Sequence, residues 1–136
     1  MSEISYSYMA DDVADDELSE FFVAWSQPPR NEARRQVLQA ATEVVIARDH
    51  DGTLVGFITA LTDGMFAAYI PLLEVRAENQ REGSRALVER MLVRLRDCYM
   101  IDLVCDDDVA AFYERVGGQR FNAVVWRNYG RLSALA

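Results

Sequence analysis

Histidine, cysteine and long apolar runs are all scarce in this 136-residue chain. Each scarcity removes a class of function. The single histidine, His50, argues against a histidine-based catalytic triad and against a histidine-ligated metal. The two cysteines, Cys98 and Cys105, are separated by six residues and form no CxxC pair, so neither a disulfide scaffold nor a zinc site is expected and both read as reduced, buried thiols. No stretch approaches the length of a membrane span. The N-terminus, "MSEISYSYMADD", has neither the basic region nor the apolar run of a signal peptide, and a cytoplasmic location is expected. Positive charge is also short, with 14 basic against 22 acidic residues and a net charge of −8. Such a surface repels nucleic acid and anionic lipid, so neither is expected as a partner.

What is present is enough apolar material for a core, 51% of the chain, at a length that suits one domain over residues 1–136. There is no internal repeat, low-complexity tract or linker. A short strand is expected near Tyr6–Tyr8. In "ADDVADDELSEFFVAW", Leu18, Phe21, Phe22 and Trp25 recur at i, i+3, i+4 and i+7, which predicts an amphipathic helix ended by Pro28 and Pro29. A second helix, "RNEARRQVLQAA", aligns Ala33, Val37, Ala40 and Ala41. "EVVIARDHDGTLVGFITALTDG" predicts two strands, Val44–Arg48 and Leu54–Leu61, around an Asp51-Gly52 turn that contains His50.

The strand Phe66–Val75 is nearly all apolar and is expected to be central and buried on both faces, with Pro71 marking a bulge or an edge. "GSRALVERMLVRLRD" carries the clearest helical stripe, Leu87, Val88, Met91, Leu92 and Leu95. It leads to an apolar strand, "YMIDLVC". Asp106, Asp107 and Asp108 then cap "VAAFYERV", which Gly117 and Gly118 stop. A final strand, "RFNAVVWRNY", is expected. A buried strand joined through a helix to another buried strand is a βαβ unit, so part of the sheet is parallel.

Within that unit, "RAENQREGS" joins the C-terminal end of a strand to the N-terminus of a helix, where free N–H groups and the helix dipole favour an anion. Gly83 permits close backbone approach, and Arg81 and Arg85 add charge. The same residues also read as the polar first turn of a helix, with Arg85 paired to Glu89. The three aspartates could suggest a metal, but a helix cap and its solvated neighbours explain them and no metal is expected.

"LLEVRAENQREGSRALVERML", followed by "DDDVAAFYERVGG", resembles the GNAT superfamily of N-acetyltransferases. Gln80-Arg81-Glu82-Gly83-Ser84-Arg85 is similar to its Q/R-x-x-G-x-G/A acyl-CoA signature, and the second stretch to its N-x-x-A-x-x-F/L-Y-E-x-x-G-F segment. The resemblance implies an α/β (α+β) fold: a mixed, mostly antiparallel sheet with a parallel, splayed strand pair and about four flanking helices.

The resemblance further implies acetyl-CoA as cosubstrate. Its pantetheine arm would meet the backbone of Leu73, Glu74 and Val75, and its diphosphate the backbone from Gln80 to Arg85, with Asp106 nearby. The acceptor would be a primary amine of a small molecule or peptide, attacking the thioester directly. Tyr113 matches the tyrosine that serves the departing thiolate, and it also lies on an apolar helical stripe. Glu74 is the candidate base, or else a carboxylate facing solvent.

Acidic residues Asp11, Asp12, Asp15, Asp16, Glu17 and Glu20 either draw a cationic amine or simply solvate a helix start. Phe22, Trp25, Tyr69 and Trp126 suit an acceptor pocket or the core. A homodimer is also implied, with the final strand "AVVWRNY" as its candidate interface. Arg85, Asp106 and Gly118 depart from the family pattern, which motivates an alternative: a non-catalytic acyl-CoA-binding or interaction module of the same fold.

Overall fold

The computed structural model describes residues 3–136. Five strands, β1 (Ser5–Ser7), β2 (Glu43–Arg48), β3 (Leu54–Thr62), β4 (Ala67–Val75) and β5 (Met100–Asp102), form one sheet in sequential order. All neighbours are antiparallel except β4 and β5, which run parallel. Four helices accompany them: α1 (Asn31–Ala40), α2 (Gln80–Arg94), α3 (Asp107–Arg115) and α4 (Gly130–Leu135). The expected mixed sheet with a parallel pair and flanking helices is therefore the fold adopted.

Alternation along the central strands sends side chains to two separate cores, as a strand's two-residue period requires. Val45, Ala47, Val55, Ile58 and Ile70 meet Leu87, Val88 and Met91 of α2 and Leu95 just beyond it on one face. Val44, Ile46, Leu54 and Phe57 meet Leu18, Phe21, Phe22 and Leu38 on the other. The stripe read from α2 is thus its packing face, with Leu92 at its margin. The hairpin turns are held by carboxylates. Asp49 accepts the N–H groups of Asp51 and Thr53, and Asp63 those of Met65, Phe66 and Ala67. These backbone bonds hold the Asp63 carboxyl below its usual range.

Several sequence expectations fail for identifiable reasons. The amphipathic helix over residues 10–25 does not form; only a 3-10 turn, Asp15–Leu18, appears. Its apolar residues are buried by successive tight turns, with Phe22 at φ +64°. Arginines from other elements pair with part of the acidic run: Asp15 with Arg35, Glu17 with Arg48 and Glu20 with Arg76. Asp11, Asp12 and Asp16 remain exposed, as does much of Glu20.

β4 is not buried on both faces. Ala68 and Ile70 are buried on one face, Tyr69 and Pro71 are exposed on the other, and Leu72–Val75 are half-buried along the stretch that β5 no longer accompanies. The strand read over "YMIDLVC" is shortened to Met100–Asp102, the three residues that pair with β4. Cys105 is exposed rather than buried. Asp106 occupies the N-cap position of α3, but its side chain makes no capping bond. "RFNAVVWRNY" is not a strand, because none of its backbone groups pairs with the sheet, and the short helix α4 that follows it is an addition.

The loop between the 3-10 turn and α1 is fastened by Arg34, a buried cation. Its Nε donates to the Pro29 carbonyl at 2.7 Å, and its Nη1 to the carbonyls of Leu18 at 2.6 Å and Phe21 at 3.1 Å. The guanidinium also sits 5.0 Å from the centre of the Phe22 ring. Arg34→Ala leaves three carbonyls without their donor and should cost about 3 kcal/mol in urea unfolding, with Arg34→Lys recovering part of the loss. Loss of Arg85, whose only bond is an exposed i, i+4 pair with Glu89, should stay within about 0.5 kcal/mol. Equal effects of the two alanine variants would contradict the clamp.

Candidate active site

The site begins with a mismatch between three strands. Leu61 pairs with Tyr69 and Thr59 with Leu72, so Ile70 and Pro71 together face Ala60 alone. This is a β-bulge, and proline suits it because the extra residue needs no ladder donor. On the other side of β4, β5 follows only Ala67, Ala68 and Tyr69. From Ile70 onward β4 has no neighbour there, and the strands part into a cleft.

The cleft has a volume of about 330 Å³ and is walled by β4 from Ile70 to Glu74, by Leu103, Val104 and Asp106 after β5, by Tyr113 of α3 and by Trp25. Leu73 and Glu74 therefore line the cleft, and Val75 follows them at the end of β4. Close packing keeps this wall in place. Gly56 is paired with Val75, and a Cβ at Gly56 would lie 2.7 Å from the Glu74 carbonyl oxygen, too close for any side chain. The edge of β4 thus presents unpaired backbone to the cleft, an arrangement that accepts an extended ligand much as a sheet edge accepts a strand.

At the far end of β4, the 3-10 turn Ala77–Asn79 delivers the chain into α2. The helix begins at Gln80, so Gln80, Arg81, Glu82, Gly83, Ser84 and Arg85 form its first turns rather than a separate loop. The stretch is the polar start of a helix. No side chain caps α2, and the Gln80 N–H is already given to the Ala77 carbonyl of the preceding 3-10 turn, so an anion there would meet N–H groups beyond Gln80. Gly83 is needed for proximity, since a Cβ there would lie 3.1 Å from Val75 Cγ1. Arg81 and Glu82 are exposed, and Arg85 turns along the helix to Glu89, its Nε 2.6 Å from the carboxylate. Its bulk does not close the site.

Glu74 is neither solvent-facing nor ion-paired. Its carboxylate accepts the Phe22 N–H at 2.8 Å, a donor aimed by the left-handed backbone of that residue. Burial pushes its pKa up, and the Phe22 N–H, the Trp25 side chain and the more distant Arg34 charge pull against that rise. Tyr113 lines the same cleft, its ring edge-on to Phe112 with centroids 5.0 Å apart. Burial raises its phenol pKa, and the neighbouring Cys105 adds to the rise. Gly118 fits closely behind it, donating its N–H to the Tyr113 carbonyl at 3.0 Å. A side chain there would crowd that carbonyl, which accounts for a glycine at this departure from the expected pattern.

A second depression, about 320 Å³ and largely apolar, lies between the Phe22–Pro29 loop, α1 and α4. Trp25 and Leu72 wall both cavities. Sequence reasoning missed Arg34, whose burial in α1 has no signature in the helical pattern. Of the four aromatics singled out from sequence, Phe22 is core and also borders the second depression, Trp25 lines both cavities, and Tyr69 and Trp126 are exposed and line neither. Among the described residues, no group of three or more histidine, cysteine or acidic side chains is placed to hold a metal ion.

The comparisons agree with this architecture. The chain has 43% identity to a protein from Deinococcus radiodurans R1, described only provisionally as an acetyltransferase, with a TM-score of 0.89 over 96% of this chain and 92% of that one. A GNAT-family acetyltransferase from Streptococcus pneumoniae TIGR4 shares the fold at 22% identity and a TM-score of 0.74, covering 95% and 99% of the two chains. A ribosomal-protein-alanine N-acetyltransferase from Brucella melitensis biovar Abortus 2308 does so at 22% identity and a TM-score of 0.65, over 93% and 99%. No curated protein sequence matches the chain. The family model for the acetyltransferase (GNAT) family matches residues 10–118, so the chain belongs to the GNAT acetyltransferase family.

Proposed function

We propose that this protein is a cytoplasmic, homodimeric N-acetyltransferase, with the whole chain acting as one unit that moves an acetyl group from acetyl-CoA to a primary amine of a small molecule or peptide. The observation that carries this reading is the meeting of a half-buried carboxylate, Glu74, and a half-buried phenol, Tyr113, in the cleft beside the unpaired half of β4, with the uncapped start of α2 beyond the end of that strand. Leu73, Glu74 and Val75 offer backbone to the pantetheine, and an N–H among them polarises the thioester carbonyl. The first turn of α2, from Gln80 to Arg85, receives the diphosphate through its N–H groups. Asp106 borders the cleft opposite β4. The acceptor approaches past Trp25, with the apolar depression beyond it available to the body of the amine.

An alkyl ammonium must lose a proton before it can attack, and Glu74 takes it, its raised pKa making it the better base. The amine nitrogen then bonds to the thioester carbon and the carbon–sulfur bond breaks, the sulfur departing as thiolate. The second proton of the amine leaves as the amide forms and ends on that sulfur, giving free CoA, while the proton taken by Glu74 passes to solvent. Transfer from a phenol to a thiolate is uphill by about 2 kcal/mol at ordinary pKa values, and burial makes the Tyr113 proton harder still to give up. Tyr113 therefore acts as a hydrogen-bond donor to the developing thiolate. The alternative, a non-catalytic acyl-CoA-binding or interaction module, is favoured by no specific feature of the cleft, and Arg85 lies along α2 rather than across its start.

Two substitutions test these roles in an assay of CoA release. Tyr113→Phe should lower kcat about tenfold, one hydrogen bond in the transition state, with acetyl-CoA affinity unchanged. Unchanged kcat would remove Tyr113 from the chemistry. Glu74→Gln retains an oxygen for the Phe22 N–H but no base, so kcat should fall and the acidic limb of its pH profile, set above the ordinary carboxylate range, should vanish. Because the folded-state pKa of Glu74 is raised, its stability contribution is complete below the unfolded pKa and declines as pH rises through the folded one. Glu74→Gln should therefore be at least as stable as the parent at neutral pH; a destabilised variant with normal turnover would make Glu74 structural instead.

A further inference from the structure

Arg34 is a buried cation without an ion-pair partner. Only 8% of it is exposed, and among the described residues no carboxylate pairs with it, although Arg35, Arg48 and Arg76 each have one. Its Nε and Nη1 are given to the carbonyls of Pro29, Leu18 and Phe21, and its Nη2 has no hydrogen-bond partner among the same residues. A guanidinium taken out of water is best satisfied by an anion as well as by neutral acceptors, and here the anion has to come from outside the chain. Arg34 is also one of the residues that line the apolar depression between the Phe22–Pro29 loop, α1 and α4.

One peptide unit joins this cation to Glu74. The Phe21 carbonyl accepts from Arg34 Nη1 at 3.1 Å, and the N–H of the same peptide, on Phe22, donates to Glu74 Oε1 at 2.8 Å. Two hydrogen bonds and one peptide unit place the guanidinium and the carboxylate within about 8 Å of each other. Glu74 lines the cleft and Arg34 the depression, and Trp25 and Leu72 are walls of both. A small molecule lying over Trp25 and Leu72 therefore has a carboxylate on one side and a guanidinium on the other. The rest of the depression is apolar, with Val37 and Ala40 of α1 facing Leu132 and Leu135 of α4. Its volume of about 320 Å³ is at the small end of ligand sites, which run from roughly 300 to 1,000 Å³. Helix α4 is fastened over it, since the Arg30 N–H donates to the Leu135 carbonyl at 2.8 Å and Ser133 Oγ donates to Gln27 Oε1 at 3.0 Å.

We propose that the acceptor is a free amino acid with a large apolar side chain, its amino group at Glu74, its carboxylate on Arg34 Nη2 and its side chain in the depression beneath α4. The span agrees, because the N–Cα–C link of an α-amino acid with one hydrogen bond at each end also covers about 8 Å. The charges agree as well. A carboxylate gives Arg34 the anion that the chain withholds, whereas a diamine would bring a second cation against it and be repelled. The α-nitrogen yields one proton to Glu74 and a second to the departing sulfur, and it bonds to the acetyl carbon as the carbon–sulfur bond breaks, so the products are an N-acetylamino acid and CoA. The inference rests on the reaction proposed above and adds to it the identity of the acceptor; Arg34 is the residue that sets that specificity.

CoA release by the intact protein, followed with L-phenylalanine, L-phenylalaninamide, 2-phenylethylamine and glycine as acceptors, tests the assignment. Phenylalanine should exceed each of the others in kcat/KM by about tenfold or more, because the amide and the amine lack the charge that Arg34 reads and glycine lacks the apolar body. Arg34→Lys keeps a charge but has no Nη2, and it should raise KM for phenylalanine about tenfold more than KM for 2-phenylethylamine; a purely structural loss would raise both alike. Equal or better use of the amide or of 2-phenylethylamine would overturn the amino-acid assignment and leave the reaction standing, as would turnover of other primary amines without turnover of phenylalanine. No CoA release with any primary amine would overturn the reaction itself, and this inference with it. Should Arg34→Lys fail to fold, the four acceptors compared on the parent decide the matter alone.

Discussion

The loss of a neighbour by β4 after Tyr69 is the constraint on which the remaining architecture depends. A strand in the middle of a sheet has both rows of backbone groups occupied and can bind nothing. Here the bulge at Ile70–Pro71 shifts β4 at the point where β5 ends, and half a strand of unpaired backbone faces a cleft. The same divergence brings the end of β4 against the first turn of α2, where Gly83 packs on Val75. Room for an extended ligand arm along β4 and an uncapped helix start beyond it are thus two consequences of one departure from regular pairing.

The carboxylate in that cleft is supported from the opposite direction. Arg34 gathers the carbonyls of Leu18, Phe21 and Pro29, and the loop it holds folds Phe22 into a left-handed conformation. That conformation aims one N–H at Glu74. A buried cation in α1 therefore positions a carboxylate in β4 through a strained turn, and removing the cation would disturb the cleft as well as the core. Gly56 contributes from the third side by letting β3 approach the Glu74 carbonyl.

Much of this was legible in the sequence wherever local pattern and packing agree. The stripe of α2, the Asp51-Gly52 turn and the break at Pro71 each follow from a rule that acts over a few residues. The 10–25 segment was misread because Leu18, Phe21, Phe22 and Trp25 satisfy helical spacing by coincidence. Their burial is achieved by turns that Arg34, Arg35, Arg48 and Arg76 hold from a distance, and no window of sequence contains those partners. "RFNAVVWRNY" was misread for a related reason: it has the composition of a strand, but strand formation needs an edge, and none in its own chain receives it. Glu74 could be placed at the end of β4, whereas its burial and its bond to Phe22 could not.

Thermal unfolding with and without acetyl-CoA tests the central claim, that the parted strands and the open helix start form one binding site. A ligand held only by the folded protein at about 100 times its dissociation constant adds about 2.7 kcal/mol, a plain rise in the unfolding midpoint. The account predicts that rise for acetyl-CoA and a smaller one for an analogue lacking the diphosphate. No rise at any concentration, or equal rises with and without the diphosphate, would contradict the assignment of the α2 N-terminus as the anion site.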